Sequence, residues 1–285
     1  HFLGFYYKAY QDDFKKRLRD VIYNKPTLEE IKEVENKLTL LHAQIVNDFL
    51  LENKIPKSEI DIISFHGHTI SHCPDKSITW QIGNGHLLAI KTGIDVVCDF
   101  RSKDVMLGGQ GAPLVPIYHF HLLNSQKTLP RPIAVLNIGG ISNITYLGNN
   151  NENDIEAFDV CFGNAPFDDL VKEKFGCEFD KDGEFTLKGK ANIALADKIL
   201  QNDIFRKKPP KSFDRDDFEE LLSPIKNLKN TEDALATLSY MHAKELEVCL
   251  GFLRKEPKNI IICGGGRKNK AIMQDMQKIL PEISI

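Results

Sequence analysis

Asp159 follows a mostly apolar run beginning near Ile155 and precedes a helix-like stretch beginning near Asn164. A carboxylate there is either a general base facing a substrate or the negative charge at the N-terminus of the next helix. The sequence alone leaves both readings open. Upstream, Gly139-Gly140 divides two apolar runs, and Ile141, Asn143 and Thr145 alternate with Ser142, Ile144 and Tyr146 as in a strand. The glycine pair permits a turn with positive φ and a close approach of backbone to a ligand. Residues 133–164 therefore predict a hairpin that holds a phosphate and a following strand that presents Asp159 at its exposed end.

Three further clusters carry reactive residue types. Gly264-Gly265-Gly266, between an apolar run and a helical pattern opening at Asn269, lets backbone approach a flat base or a phosphate, or simply makes a tight strand-to-helix connection. Neither G-x-x-x-x-G-K-[ST] nor G-x-G-x-x-G occurs, so the fingerprints of a P-loop and a dinucleotide fold are missing. In Asp99-Phe100-Arg101 the arginine either holds a sugar hydroxyl or phosphate, or joins Ser102, Lys103 and Asp104 in a solvated ion-pair cluster. His66, His68 and His72 lack the matching cysteine or carboxylate set of a zinc site, so hydrogen bonding is the favoured role and no metal site is assigned. The basic, proline-containing stretch 207–212 reads as an exposed loop or as one wall of a cleft.

The elements that must position these residues follow from periodicity. Residues 8–23 have the spacing of a surface helix, and Thr27 with Glu30 forms a capping box ahead of a stripe of Ile31, Val34, Leu38, Leu41, Ile45 and Phe49. That helix reads as scaffold. Strands are expected at 60–65, 77–82, 94–98 and 260–263, with the His66 to His72 segment as the loop leaving the first of them. Helices are expected at 164–175, 190–200, 231–253 and 269–280, the third of them amphipathic. The break at 108–113 marks a boundary between two lobes, 1–108 and 109–285.

Composition bounds the remainder. Hydrophobic residues make up 42% and charged residues 27%, as in soluble domains, and a net charge of −3 argues against a nucleic-acid partner. No run approaches the roughly 20 apolar residues that cross a bilayer, and the opening His1-Phe2-Leu3-Gly4 has no signal-peptide pattern. The reading is a cytoplasmic protein with no membrane partner. Six cysteines without a C-x-x-C pair fit reduced core thiols. Both ends read as cut, with the run before Ile285 as the start of a strand.

Together the segments SFHGHTISHCPD, TWQIGNGHLLAIKTGIDVVCDFRSKDVMLGGQGAPLVP, VLNIGGISNIT, the AFD at 157–159, PPKSFDR and IICGGGRKN resemble the anhydro-N-acetylmuramic acid kinases. The resemblance implies an α/β, two-lobed actin-like ATPase (ribonuclease-H-like) fold with mixed sheets flanked by helices and incomplete N- and C-termini. It implies ATP and Mg²⁺ as cofactors, an anhydro-amino-sugar substrate and a homodimer. The implied reaction opens the 1,6-anhydro ring with water and phosphorylates O6, giving N-acetylmuramic acid 6-phosphate in peptidoglycan recycling. A binding-only remnant of such a kinase is the alternative. By the same likeness Asp159 is the catalytic base; Arg101, Asp99, Asn164 and His66 bind substrate. Gly139 and Gly140 belong to a phosphate hairpin, and Gly264, Gly265, Gly266 and Asn269 to the adenosine motif. Where the family reads F-D-T-G-P-x-N, this chain has Phe158-Asp159-Val160-Cys161-Phe162-Gly163-Asn164, which sets Cys161 and Phe162 against the expected sugar pocket.

Overall fold

Apolar residues at helical spacing build the first part of the chain. Helix α1 (Asp12–Tyr23) buries Phe14, Leu18 and Val21, which cluster with Ile31, Val34 and Leu38 of α2 (Leu28–Glu52). The capping box forms as the spacing predicts: the Glu30 N–H donates to Thr27 Oγ1 at 3.2 Å, and the Thr27 N–H donates to Glu30 Oε2 at 2.7 Å. Beyond Leu38 the buried positions are Thr39, Ala43 and Leu50, with Leu41, Ile45 and Phe49 only half-buried. The computed structural model describes residues 4–24, 26–125 and 129–285, so His1-Phe2-Leu3 lies outside the described residues.

The chain divides into two compact units, the first ending at Leu114 and the second Val115–Ile285. In the first, β1 (Ile63–Phe65) is followed by β2 (His68–Cys73), β3 (Ile78–Ile82), α3 (Gly85–Thr92), β4 (Val96–Cys98) and α4 (Ser102–Met106). Strands β1 and β4 pair in parallel, and β2 and β3 pair antiparallel. Two expectations need correction. The strand expected at 60–65 starts only at Ile63, because Ile60 closes a 3₁₀ turn through its N–H to the Lys57 carbonyl. The histidine-rich stretch expected as a loop is strand β2. Its residues are half-buried or exposed and largely polar, so it lacks the apolar alternation that signals a strand.

The second unit contains α5 (Val115–Ser125), β5 (Ile133–Ile138), β6 (Ile141–Leu147), β7 (Ile155–Phe162), α6 (Ala165–Phe175), α7 (Ile193–Ile199), α8 (Asp203–Arg206), α9 (Glu219–Lys226), α10 (Thr231–Leu250), β8 (Asn259–Cys263) and α11 (Lys270–Ile279). Its sheet has the order β7-β6-β5-β8, antiparallel except for the parallel β5–β8 pair. Alternation along β5 buries both faces: Ile133 and Val135 join Phe120 and Leu123 of α5, while Ala134, Leu136 and Ile138 join the larger core. Ser284 makes a parallel bridge beside Asn259, so the run before Ile285 lies along β8. Helix α10 is enclosed over its first turns, where every residue from Ala234 to Ser239 is buried, and amphipathic beyond them, with Tyr240, Lys244, Glu247 and Val248 along its less buried face as the spacing predicts.

Deleting a fully buried side chain leaves a cavity, whereas deleting a cap removes one hydrogen bond. Leu38→Ala is expected to lower unfolding free energy by about 2–5 kcal/mol, and Thr27→Ala by about 1 kcal/mol. Denaturant unfolding of the two variants measures both; equal losses would contradict the packing assigned to Leu38.

Candidate active site

In the second unit the hairpin between β5 and β6 is closed from outside. Its two glycine carbonyls accept hydrogen bonds from residues after β7: the Asn164 N–H donates to the Gly139 oxygen at 2.6 Å, and the Gly163 N–H to the Gly140 oxygen at 2.8 Å. Gly163 is required by that approach, since a Cβ there would lie 2.2 Å from the Gly139 oxygen. Neither hairpin glycine has positive φ, which corrects the expected reason for the pair. Instead, a Cβ on Gly140 would meet nothing within 4 Å, so its surface is bare backbone facing open space.

Asn164 ties the glycine turn to this hairpin. Its side-chain Nδ2 donates to the Ile138 carbonyl at 3.2 Å, and a Cβ on Gly266 would come within 2.8 Å of its Oδ1. Gly264 has φ +81° and would meet the Ile138 oxygen at 2.5 Å if it carried a Cβ. The turn is therefore pressed onto the end of β5 by steric fit. Asn269 is buried and caps α11, its Oδ1 accepting from the Ala271 and Ile272 N–H groups.

Asp159 lies within β7, paired with Asn143 beside a bulge, three residues before the strand ends. This corrects its expected position at the exposed end. It is also not the charge that opens α6, because Asn164 is the N-cap of that helix. The segment 211–213 runs beside it: the Asp159 N–H donates to the Lys211 carbonyl at 3.1 Å, and the Phe213 N–H to Asp159 Oδ2 at 2.9 Å. Oδ1 has no protein partner among the described residues. Burial raises the carboxyl pKa above its ordinary value, and the Phe213 N–H and the Lys211 charge pull it back. Cys161 and Phe162 belong to the core, with Phe162 packed edge-on against Phe218 and His242, so their bulk is taken up inside the unit.

Three contributors were not foreseen. Lys211, expected on an exposed loop, is fully buried opposite Glu245; the PPKSFDR motif marked the stretch but said nothing of the burial. Gly163 lies in the departing family motif without a signal of its own. His242 is buried in α10 with its Nε2 2.7 Å from Ser142 Oγ, beneath the site where a Gly163 Cβ would sit 3.0 Å from that oxygen.

In the first unit, Arg101 donates from Nε to His66 Nε2 at 3.0 Å and from Nη1 to the Gly111 carbonyl at 2.5 Å. Accepting from the guanidinium leaves the His66 proton on Nδ1, which donates to the Gly67 carbonyl at 3.1 Å. Asp104 accepts the Gly111 N–H at 2.6 Å, so Gly111 is held on both sides, its N–H by Asp104 and its carbonyl by Arg101. Arg101 is thus no member of a solvated ion-pair cluster, and burial lowers its pKa from the usual arginine value. Asp99, at φ +56°, accepts from Ser102 Oγ at 2.5 Å. Helix α2, expected as plain scaffold, anchors the neighbouring turn: Glu35 Oε1 accepts the Gly83 N–H and Thr39 Oγ1 the Asn84 N–H, each at 3.0 Å. Among the described residues no group of three or more histidine, cysteine or carboxylate side chains is placed to hold a metal.

Comparison with known proteins fits these segments into one family. Residues 2–285 match the family model described as anhydro-N-acetylmuramic acid kinase. The anhydro-N-acetylmuramic acid kinase of Zymomonas mobilis is 44% identical over 249 residues, covering 87% of this chain and 66% of that protein. That of Paramagnetospirillum magneticum is 39% identical over 269 residues, covering 94% of this chain and 74% of that protein. Among solved structures, component A of the (R)-2-hydroxyglutaryl-CoA dehydratase of Acidaminococcus fermentans overlaps 85% of this chain and 76% of that chain at 13% identity with a TM-score of 0.45, too low to carry weight. The mixed α/β chain with this glycine hairpin is a kinase by kinship. It belongs to the anhydro-N-acetylmuramic acid kinase family.

Burial pushes the His242 pKa down to about 4, from 6.5. Between those values the unfolded chain binds a proton that the folded chain does not, so stability falls as pH falls through that window. In His242→Gln this slope is expected to vanish, and the variant's deficit at neutral pH should shrink as pH drops from 6.5 to about 4. Denaturant unfolding across that range decides it; a deficit constant with pH would mean that His242 does not titrate as placed.

Proposed function

We propose that the protein opens the 1,6-anhydro ring of anhydro-N-acetylmuramic acid with water and transfers a phosphoryl group from ATP to O6, giving N-acetylmuramic acid 6-phosphate for peptidoglycan recycling. The observation that carries the reading is Asp159: a half-buried carboxylate with one oxygen held by a backbone N–H and the other without a protein partner among the described residues. Burial raises its proton affinity, as general-base work requires. In the reaction Oδ1 takes a proton from the water that attacks C1; the C1–O6 bond breaks, and O6 accepts the phosphoryl group. Arg101, oriented by His66 and the Gly111 carbonyl, is assigned to the sugar together with Asp99 and His66, and Asn164 is assigned to the substrate by its place in the family motif.

ATP supplies the phosphoryl group, with Mg²⁺ offsetting its charge. The bare backbone of Gly140 fits a phosphate, and the turn at Gly264, Gly265 and Gly266 with Asn269 fits the adenosine side. Mg²⁺ would be carried by the nucleotide's phosphates, whose charge it would offset. Among the described residues no helix is long and apolar enough to cross a membrane. The use of ATP supports a cytoplasmic place for the reaction, and the family resemblance a homodimer.

Two variants test this assignment. Asp159→Asn keeps the side-chain shape and removes the base, and should cut ATP-dependent turnover of anhydro-N-acetylmuramic acid by about 10²–10⁴-fold, read by mass spectrometry of the phosphorylated product. Undiminished turnover would sink the base. Gly140→Ala has no internal clash to relieve, so stability should stay within about 0.5 kcal/mol while KM for ATP rises. Unchanged KM with unchanged stability would remove the hairpin from nucleotide binding.

A further inference from the structure

Lys211 has no exposed side-chain surface, and the Glu245 that faces it has almost none. Its ammonium has three N–H donors, and three acceptors surround it: the Val160 carbonyl at 3.2 Å, Glu245 Oε1 at 3.4 Å and Cys249 Sγ at 3.2 Å. The rings of Phe213, Phe252 and Phe158 stand 5.3, 5.6 and 6.0 Å from it. Burial of this kind is not needed for stability, since apolar side chains of similar volume replace buried ion pairs at little or no loss. What the pair does have is a position. Lys211 also accepts the Asp159 N–H through its own carbonyl, and two residues later the Phe213 N–H holds Asp159 Oδ2.

We propose that Lys211 is the positioning residue of the candidate base, its buried ammonium fixing the 211–213 segment whose backbone grips Asp159. The inference rests on Asp159 being the base. The side chain anchors the segment to β7 through Val160 and to α10 through Glu245 and Cys249. The backbone of the same segment then fixes which carboxylate oxygen is occupied and which is left for substrate. The groups that face the ammonium come from both elements: Glu245 and Cys249 on α10, and Cys161 on β7. Burial pushes the Glu245 carboxyl up to about 7, with Lys211 drawing it down. The positive charge also lowers the Asp159 pKa.

The test compares Lys211→Met, which strands Glu245, with Lys211→Met/Glu245→Leu, which removes both partners of the pair, both on the intact protein. The double variant should fold, keep KM for sugar and ATP within about twofold, and lose about 10–100-fold in kcat through misplacement of the carboxylate. The acid limb of its kcat/KM profile should move to higher pH, because the charge that lowers the Asp159 pKa is gone. Loss of packing alone would admit water and move that limb to lower pH, because burial is what raises the Asp159 pKa. Wild-type kcat and an unmoved limb in a folded double variant overturn the inference. Full turnover in Asp159→Asn would instead overturn the underlying reading. On the wild-type protein, which needs no variant to fold, the Phe213 amide should exchange hydrogen as slowly as those of α10; fast exchange would also overturn the inference.

Discussion

Two backbone hydrogen bonds hold the second unit's chemistry in one place. The glycine carbonyls of the β5–β6 hairpin accept from Gly163 and Asn164, so the hairpin, the end of β7 and the start of α6 move as one body. The constraint is steric as well as polar, because only a residue without a Cβ reaches the Gly139 oxygen so closely. Once the hairpin is pinned, Asn164 is fixed at the α6 N-cap, and its side chain meets the Ile138 carbonyl and the Gly266 turn. Glycine therefore plays two different parts here. At 163, 264 and 266 it makes room for the protein's own atoms, while at 140 it leaves backbone facing open space.

Electrostatics separates the two carboxylates most affected by Lys211. Asp159 is half-buried with a backbone donor on one oxygen, and Glu245 is enclosed in the core with an ammonium against it. Both lie above the usual carboxylate range through burial, but Asp159 is half-buried while Glu245 is enclosed. Solvent exclusion raises both, and access distinguishes them. The same burial keeps His242 neutral at ordinary pH and the Cys249 thiol protonated, pushed up to about 12.

Much of the fold was legible locally. The capping box at Thr27 and the glycine break before Asn269 are short-range signals, written within a few residues, and they formed where the pattern put them. The histidine-rich strand β2 was not legible, because half-exposed polar residues carry no periodicity and only pairing with β3 makes them a strand. The outward face of α10 at Lys244 and Glu247 was legible, whereas the burial of every position from Ala234 to Ser239 came from the elements packed around its first turns. Cys161 and Phe162 looked like obstacles at a sugar pocket, but the core takes them in.

What the sequence determined by itself is the order of parts: glycine pairs after strands, a carboxylate between them, an arginine followed three residues later by an aspartate, and the motifs that define the family. Those signals are local, and local spacing survives in a linear string. Only the tertiary structure decided which of those residues touch. It showed that Arg101 and Asp104 hold the two sides of Gly111, that Lys211 is buried, and that a segment some fifty residues downstream holds Asp159. Contacts of that range depend on burial and on backbone donors, and neither is encoded by the type of a single residue.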